Sequence, residues 1–156
     1  MSTNANHDTA NTTVIVGAGL AGWTLARELR ALAPSMAITV VSADAGDFYS
    51  KPMLSNAFAL KKSVEGLVSA PGQVQADKVG VQLMANTDVQ FIHTEDNTLA
   101  TNHGPVPYRQ LVLAIGADPI RLSMPGDTHV LSVNNWQDYA AFRLALDAAP
   151  NPQRAR

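Results

Sequence analysis

Cysteine is absent from this chain of 156 residues. Its absence excludes a disulfide framework, a cysteine-ligated zinc site and a Cys-x-x-Cys redox pair acting within this segment. The four histidines, His7, His93, His103 and His129, have no paired spacing and no neighbouring set of carboxylates, so we expect no metal site. A Gly-x-Ser-x-Gly nucleophile elbow is missing too, which leaves a hydrolase without support.

An excess of either charge and long apolar runs are also lacking. The sequence has 11 Lys and Arg residues against 13 Asp and Glu residues, a net charge of -2. No basic cluster marks a surface for nucleic acid or for an anionic membrane. No apolar run reaches the roughly 20 residues of a membrane helix, and residues 1–12, a predicted flexible polar tail, lack the pattern of a secretory signal. We therefore expect a cytoplasmic protein without membrane insertion.

The first segment that carries a pattern predicts a βαβ unit. Val14–Val16 is a β-branched run that leads directly into a glycine-rich turn at residues 17–22. Apolar residues within 25–32 are spaced to line one face of a helix that ends before Pro34, and Ile38–Val41 follows as a second buried strand. Strand, turn, helix and strand within about 30 residues predict an α/β, Rossmann-like domain with a parallel sheet and a crossover helix.

The middle of the chain predicts a small antiparallel β-meander. A strand is expected near Val79–Leu83, before the meander begins. Turn residues then separate three short strand candidates, which are Val89–His93, Thr98–Thr101 and Val106–Tyr108. A meander after a βαβ unit adds antiparallel strands to a domain whose main sheet is parallel.

Three further segments have a readable pattern. Residues 54–60 are loosely helical, and Leu111–Ile115 is a continuous apolar run that predicts a strand covered on both faces. Asn134–Ala148 predicts a helix that ends before two prolines. Trp136 and Tyr139 lie one turn apart on this helix, and we interpret them as core residues rather than as an electron relay.

The glycine turn carries the chemistry of the βαβ unit. Gly17 permits the tight turn from strand to helix, Gly19 lets a pyrophosphate approach the backbone, and Gly22 lets the helix pack closely on the strand. Free amides and the positive end of the helix dipole would then face the phosphates. A glycine turn that follows a strand and opens a helix therefore predicts a dinucleotide-binding site.

An acidic residue about 20 positions beyond such a turn holds the ribose hydroxyls of a dinucleotide. Asp44 lies just after the second predicted strand and fits this role, whereas Ala43 occupies the end of the strand itself. The alternative is that Asp44 is an ordinary solvated turn residue, and the sequence leaves the two readings open.

Two later motifs carry a resemblance to a known family. Phe48-Tyr-Ser-Lys-Pro-Met-Leu-Ser55 resembles the Tyr-x-Arg/Lys-Pro-x-Leu-Ser loop of the rubredoxin and ferredoxin reductases. Tyr108-Arg-Gln-Leu-Val-Leu-Ala-Ile-Gly-Ala-Asp-Pro119 resembles the Tyr-x-x-Leu-Val-Leu-Ala-Thr-Gly-Ala-x-Pro stretch of the same flavoproteins. The resemblance runs from about Val14 to Gly126. It is to the FAD- and NAD(P)-binding pyridine nucleotide-disulfide oxidoreductases, and it implies that the bound dinucleotide is FAD.

The resemblance implies a role for each matched position. The glycine turn would cradle the pyrophosphate, the loop after the second strand would lie beside the ribose, and the two basic residues would face the phosphates or the flavin. For these two cations the alternative is an ordinary surface position. The implied cofactor-binding residues are Ala18, Gly19, Leu20, Ala21, Gly22, Ala43, Asp44, Lys51, Pro52, Val89, Ala114, Gly116 and Arg121.

Three positions depart from the family pattern. Many relatives have an acidic residue where this chain has Ala43, a lysine beside the flavin where it has Asn56, and a threonine where it has Ile115. These departures leave the expected fold intact and put individual contacts in question. The first two weaken the resemblance to ferredoxin reductases more than that to rubredoxin reductases.

The resemblance also implies an activity. In such enzymes NADH, or NADPH, reduces the flavin, which then passes electrons to a small iron protein such as rubredoxin. Because the flavin performs the chemistry, no catalytic side chain is expected in this chain. Residues 13–127 would form the N-terminal part of the FAD-binding domain, and 128–156 would be a linker and helix leading to an absent NAD-binding domain.

We therefore expect the isolated chain to bind FAD weakly and to oxidise no NADH. Two alternatives remain open from the sequence. One is a non-catalytic nucleotide-binding module, and the other is an NAD(P)-binding dehydrogenase domain that uses the same glycine turn.

Overall fold

The computed structural model describes residues 11–149, so most of the predicted N-terminal tail and the end of the chain after residue 149 lie outside the described residues. The described chain forms two compact units: one contains the residues up to Phe48 together with Ala70–Gly116, and the other contains 49–69 together with the residues from Ala117 onward. The helices and strands, in chain order, are β1 (Thr13–Val16), α1 (Leu20–Leu32), β2 (Ile38–Val41), β3 (Phe48–Tyr49), α2 (Met53–Ala57), β4 (Val68–Ala70), α3 (Gly72–Val79), β5 (Gln82–Met84), β6 (Val89–His93), β7 (Thr98–Thr101), β8 (Gly104–Pro107), β9 (Gln110–Leu113) and α4 (Trp136–Asp147).

A parallel sheet of four strands is the centre of the first unit. Its strand order is β5-β2-β1-β9, and every neighbouring pair is parallel. Because the strands are parallel, their carboxyl ends meet at one edge of the sheet. The residues of β1 and β2 are all buried, as the two β-branched runs predict. Helix α1 joins these two strands, so the predicted α/β fold with its crossover helix is confirmed.

The start of β1 corrects the predicted limit of the N-terminal tail. The strand begins at Thr13, one residue before the predicted Val14. Thr12 is only 4% exposed, and its carbonyl oxygen accepts a hydrogen bond of 2.9 Å from the amide of Arg109. The prediction of a flexible tail for residues 1–12 is therefore wrong for Thr12, because polar threonines are compatible with a β-strand and carry no signal for its first residue.

The meander is confirmed, with one strand displaced. Strands β6 and β7 have the predicted bounds, whereas β8 covers 104–107 instead of 106–108. Leu99 of β7 pairs with Val106 of β8 and belongs to a core cluster with Val14, Val41 and Tyr108. The meander thus packs on the face of the parallel sheet that carries Val14 and Val41. Tyr108 packs on the same face from just beyond the end of β8.

Two predictions for strands of the main sheet are wrong in part. Val79 ends helix α3 instead of starting a strand, because Gly80 follows in the left-handed conformation (φ +75°) that commonly terminates helices. The predicted strand Leu111–Ile115 ends at Leu113, and it is not covered on both faces: Leu113 is 53% exposed and Ile115 70%. Because β9 is an edge strand of this sheet, its side chains are less buried than the apolar run predicts.

The second unit has its own small core. Leu54 and Ala57 of α2 pack with Leu67 and with Tyr139 of α4, and Trp136 contacts this cluster. The interpretation of the two aromatic residues as core residues is therefore confirmed. The predicted helices are both shorter in the structure, where α2 ends at Ala57 and α4 spans 136–147.

Helix α4 starts where a side chain caps it. The Oδ1 atom of Asn135 accepts a hydrogen bond of 2.7 Å from the amide of Asp138. Asparagine is among the preferred residues at this position, because its side chain satisfies an amide that has no partner within the helix. Asn134, the predicted first residue, therefore lies outside the helix. No helix within residues 11–149 is long and apolar enough to cross a membrane.

Candidate dinucleotide-binding site

The glycine turn lies at the carboxyl edge of the parallel sheet, between the ends of β2 and β9. The amide of Gly17 donates a hydrogen bond of 2.8 Å to the carbonyl oxygen of Val41. On the other side, the amide of Ala114 donates a hydrogen bond of 2.7 Å to the carbonyl oxygen of Val16. Ligands of open α/β sheets bind at this edge. The structure therefore brings the turn and Ala114 together, as the sequence predicts.

Gly17 and Gly22 are needed by the protein's own packing. Gly17 has φ +109°, and a Cβ atom there would overlap the carbonyl oxygen of Ala114. A Cβ atom on Gly22 would overlap the carbonyl oxygen of Gly17 and would lie 3.6 Å from the Ile15 side chain. These two glycines let the first turn of α1, the end of β1 and the segment after β9 approach one another closely.

Gly19 is different, because its missing side chain leaves open space. Apart from Gly19 and its two chain neighbours, no atom of the described residues lies within 4 Å of the position that its Cβ would occupy. Gly19, Leu20 and Ala21 are all exposed at the start of α1. A cradle of this kind accepts a phosphate that approaches the backbone directly.

The start of α1 has the polarity that a diphosphate requires. Gly19 is the N-cap residue and makes no side-chain capping bond, and the first turn contains no acidic residue. The amides of Leu20 and Ala21 have no hydrogen-bond partner within residues 11–149. Uncapped amides and the helix dipole together favour an anion at this position. The residues therefore fit the diphosphate of a dinucleotide.

Buried residues complete the predicted cradle. Ala18 is 7% exposed and packs in the core with Ile15 and Trp23, so only its backbone is available to a ligand. Gly22 is buried as well. Of the five residues 18–22, the structure thus exposes the three central ones.

Asp44 is tied into its own loop. Its Oδ1 atom accepts hydrogen bonds from the hydroxyl of Ser42 at 2.7 Å and from the amide of Gly46 at 2.8 Å. This pattern is that of an aspartate which stabilises a turn. Asp44 and Ala43 are nevertheless exposed beside the end of β2. A contact with ribose therefore stays a prediction for both residues.

Substitution of Asp44 separates its two roles. We expect Asp44→Ala to lower the free energy of unfolding by about 1 kcal/mol, because the Ser42 hydroxyl and the Gly46 amide lose their acceptor. Asp44→Asn keeps an acceptor oxygen, so its stability should stay near that of the wild type. Urea unfolding measures both variants, and titration with ADP then measures any role in binding. A stability loss in Asp44→Asn equal to that in Asp44→Ala would contradict this reading.

The sequence analysis missed Trp23. Its indole is 1% exposed, and Nε1 donates a hydrogen bond of 3.0 Å to the carbonyl oxygen of Gly46. The bond ties the loop after β2 to the first turn of α1, so it positions both candidate ligand-binding segments. The sequence did contain a signal for this role, which is a large aromatic residue between Gly22 and Ala26 on the buried side of the predicted helix.

The remaining predicted contacts of the first unit lie on its strands and loops. Val89 opens β6 and is half-buried against the core that the meander shares with the sheet. Gly116 is exposed and has φ +70°, three residues beyond the end of β9. Their predicted contacts with adenine and with pyrophosphate stay predictions.

Three predicted site residues belong to the second unit. Lys51, Pro52 and Arg121 are all exposed. The Nζ atom of Lys51 donates a hydrogen bond of 3.2 Å to the side-chain oxygen of Asn134. Asn134 in turn donates a hydrogen bond of 3.0 Å to the carbonyl oxygen of Ala117. Lys51 therefore has a structural partner, and the roles of the three residues toward a cofactor stay predictions.

A cavity of about 680 Å³ lies at the opposite, amino-terminal edge of the sheet. Its wall includes Arg30, whose guanidinium donates to the carbonyl oxygens of Pro34 at 2.6 Å and of Gly80 at 2.7 Å. These bonds join the ends of α1 and α3, so Arg30 has a structural role here. Within the described residues, no three His, Asp or Glu side chains come together as a possible metal site.

Comparison with known proteins agrees with this geometry. The family model of the pyridine nucleotide-disulphide oxidoreductases matches residues 11–154. The rubredoxin-NAD(+) reductase of Acinetobacter baylyi is 38% identical over an alignment of 141 residues, which covers 85% of this chain and 35% of that protein. The nitric oxide reductase FlRd-NAD(+) reductase of Aeromonas hydrophila is 32% identical over 151 residues, which are 96% of this chain and 39% of that protein.

A solved structure supports the same assignment. The ferredoxin reductase for the CYP199A2 system of Rhodopseudomonas palustris superposes with a TM-score of 0.77 at 26% identity, over 88% of this chain and 34% of that one. This chain thus spans little more than a third of the length of the relatives that it matches. Because the family model covers nearly all of the described residues, the chain belongs to the pyridine nucleotide-disulphide oxidoreductase family.

Proposed function

We propose that this chain is the FAD-binding portion of an NAD(P)H-dependent flavoprotein oxidoreductase. The complete protein would pass electrons from NADH, through FAD, to a small iron protein such as rubredoxin. Support comes from the family membership of the chain and from its similarity to a rubredoxin-NAD(+) reductase. Residues 13–127 would form the FAD-binding part, and 128–156 would connect it to the portion of the relatives that lies beyond the match.

The single observation that carries this proposal is the open start of helix α1. The helix begins at the carboxyl edge of the sheet without a side-chain cap, and the position that a Cβ of Gly19 would take is open. A diphosphate suits such amides, since its oxygens are anionic hydrogen-bond acceptors.

The roles of the chain's own residues follow from this placement. Leu20 and Ala21 would donate their amides to the diphosphate, and the exposed loop at Ala43 and Asp44 would lie beside the ribose. FAD, when bound, supplies the two-electron and one-electron chemistry that connects a hydride donor with an iron protein. The protein then contributes position, electrostatics and access.

Titration of the purified chain with FAD tests the cofactor assignment. We expect weak binding, detected as quenching of flavin fluorescence, with ADP competing for the same amides. We expect no NADH consumption after FAD has been added. Robust NADH turnover by this chain would contradict the proposal that it is only the FAD-binding portion of the enzyme.

The same titration distinguishes the two alternatives. A folded chain that ignores FAD but binds ADP would be a non-catalytic nucleotide-binding module. A chain that prefers NADH to FAD in direct competition would be an NAD(P)-binding dehydrogenase domain. Either result would overturn the flavin assignment while leaving the glycine turn as the binding site.

We also propose a cytoplasmic location, as the sequence analysis expects. Fractionation of cells that produce the complete gene product, with detection of this segment by antibody, measures the location directly. Recovery of the protein outside the cytoplasmic fraction would contradict the proposal.

A further inference from the structure

An exposed patch of the second unit combines apolar and cationic side chains. We call it the Phe58 patch, and it consists of Phe58, Leu60, Lys61, Lys62 and Arg143. Phe58 is 54% exposed and Leu60 58%, although they lie one and three residues after the buried Ala57. Neither side chain belongs to the small core of this unit. Contiguous apolar side chains with a polar rim are typical of interaction sites.

The backbone presents the two lysines in an unusual way. The amide of Lys62 donates to the carbonyl oxygen of Ala57 at 2.9 Å, and the amide of Lys61 donates to that of Phe58 at 3.0 Å. This pair of bonds is a Schellman motif, in which the residue at the position of Lys61 adopts a left-handed conformation. Lys61 has φ +52°, a region that glycine reaches without the steric cost of a side chain.

The left-handed conformation of Lys61 favours the hypothesis that its side chain has a function. Strained residues persist where the surrounding structure holds them, and they are concentrated at sites of binding or switching. Glycine would serve the turn better, so the side chain of Lys61 has no structural advantage at this position. Lys61 is exposed, and it follows Leu60 directly in the chain.

Arg143 adds a cation that its neighbours satisfy only in part. Its guanidinium lies 5.2 Å from the centre of the Phe58 ring. One nitrogen donates a hydrogen bond of 3.4 Å to the Tyr139 hydroxyl, another lies 3.8 Å from an Asp147 oxygen, and Nε is buried without a partner among the described residues. The hydrogen bond with Tyr139 raises the pKa of Arg143, and an arginine side chain is charged in proteins in any case.

The local charge around the patch is positive. Residues 49–69 contain three lysines, Lys51, Lys61 and Lys62, against one acidic residue, Glu65. Asp147 is the acidic group that approaches the patch from α4, and it offsets part of the charge of Arg143. An apolar centre flanked by two exposed lysines is complementary to an acidic surface that presents an apolar side chain.

We propose that the Phe58 patch is the docking surface for an acidic protein partner, and that this partner is the small iron protein that accepts the electrons. Carboxylates of the partner would pair with Lys61 and Lys62, and an apolar side chain would cover Phe58. The identity of the partner rests on the proposed function, whereas the chemistry of the surface rests on the patch itself.

Binding of rubredoxin to the complete chain tests the proposal, by calorimetry at low and at physiological salt. The double variant K61G/K62Q removes both charges, and K78Q removes a lysine that is exposed on α3. We expect the double variant to weaken binding by about tenfold and to flatten its salt dependence, because charges at the rim of an interface act through long-range attraction. K78Q should bind within about twofold of the wild type, since its charge lies outside the patch.

The design separates docking from damage to the fold. Lys61→Gly relieves the left-handed strain, so the urea midpoint of the double variant should equal or exceed that of the wild type. No rubredoxin binding by the wild type, equal binding by the double variant, or an equal loss in K78Q would each overturn the proposal. The assay contains neither FAD nor NADH. Its result can therefore be interpreted even if the chain does not bind FAD.

Discussion

Replacing Gly17 by alanine is expected to lower the free energy of unfolding by about 3–5 kcal/mol, the largest single effect on stability that we predict. Two costs combine at this position. The residue has φ +109°, which L-amino acids rarely adopt, and its new Cβ atom would overlap the carbonyl oxygen of Ala114. Relief would require the ends of β1 and β9 to move apart. Urea unfolding followed by circular dichroism measures the loss.

Gly104 provides a matched control for this variant. It has φ +107°, nearly the same as Gly17. Apart from its two chain neighbours, however, no part of the chain within residues 11–149 comes within 4 Å of the position of its Cβ. Gly104→Ala should therefore cost only the backbone strain, about 1–2 kcal/mol. The difference between the two variants isolates the overlap with Ala114. Equal losses would show that the close approach of Gly17 to the segment after β9 is not important for stability.

Replacing Gly19 by aspartate is expected to move stability and binding in opposite directions. Gly19 is the N-cap of α1 with ordinary extended backbone, so an aspartate there can cap the open amides. The free energy of unfolding should rise by a few tenths of a kcal/mol, roughly the difference between aspartate and glycine at this position. The affinity for FAD or ADP should fall by about tenfold or more, because a carboxylate would occupy the amides and repel the diphosphate.

Gly19→Asn is the matched control, since it caps the same amides without a charge. We expect its stability to match that of Gly19→Asp, and its affinity for ADP to lie between those of the wild type and the aspartate variant. Titration calorimetry with ADP and urea unfolding measure both properties on the same preparations. Undiminished ADP binding by Gly19→Asp would remove the start of α1 from the binding site.

The three glycines of one motif therefore have separate tests. Gly17 and Gly22 face the protein's own carbonyl oxygens, and their substitution is a question of stability. Gly19 faces open space, and its substitution is a question of ligand affinity. The spacing in the sequence assigns all three glycines to one motif. Only the distances in the structure separate the two that the fold needs from the one that faces open space.

Features that depend on neighbours along the chain were predictable. The β-branched runs at Val14–Val16 and Ile38–Val41 form adjacent strands of a parallel sheet, and the glycine turn opens the helix between them. Strands β6 and β7 have their predicted bounds. In each case a periodicity, a turn residue or a β-branched run acts within a few residues, so the sequence alone carries the information.

Features that depend on partners distant in the chain were not predictable. An apolar run predicted that β9 is covered on both faces, yet its place at the edge of the sheet leaves Leu113 exposed. The sequence left open whether Asp44 serves a ligand or a turn, and the structure adds its bonds to Ser42 and Gly46. It gave no indication that the indole of Trp23 would bond to the carbonyl oxygen of Gly46.

The amino-acid sequence by itself determined the family, the βαβ unit and the turn on which a dinucleotide would be bound. Only the tertiary structure decided which amides of that turn stay free, and that the apolar surface beside Phe58 is exposed and flanked by cations. The physical reason is the range of the forces involved. Backbone propensity and turn chemistry act between near neighbours, whereas burial, close contact and charge depend on segments that meet only when the chain has folded.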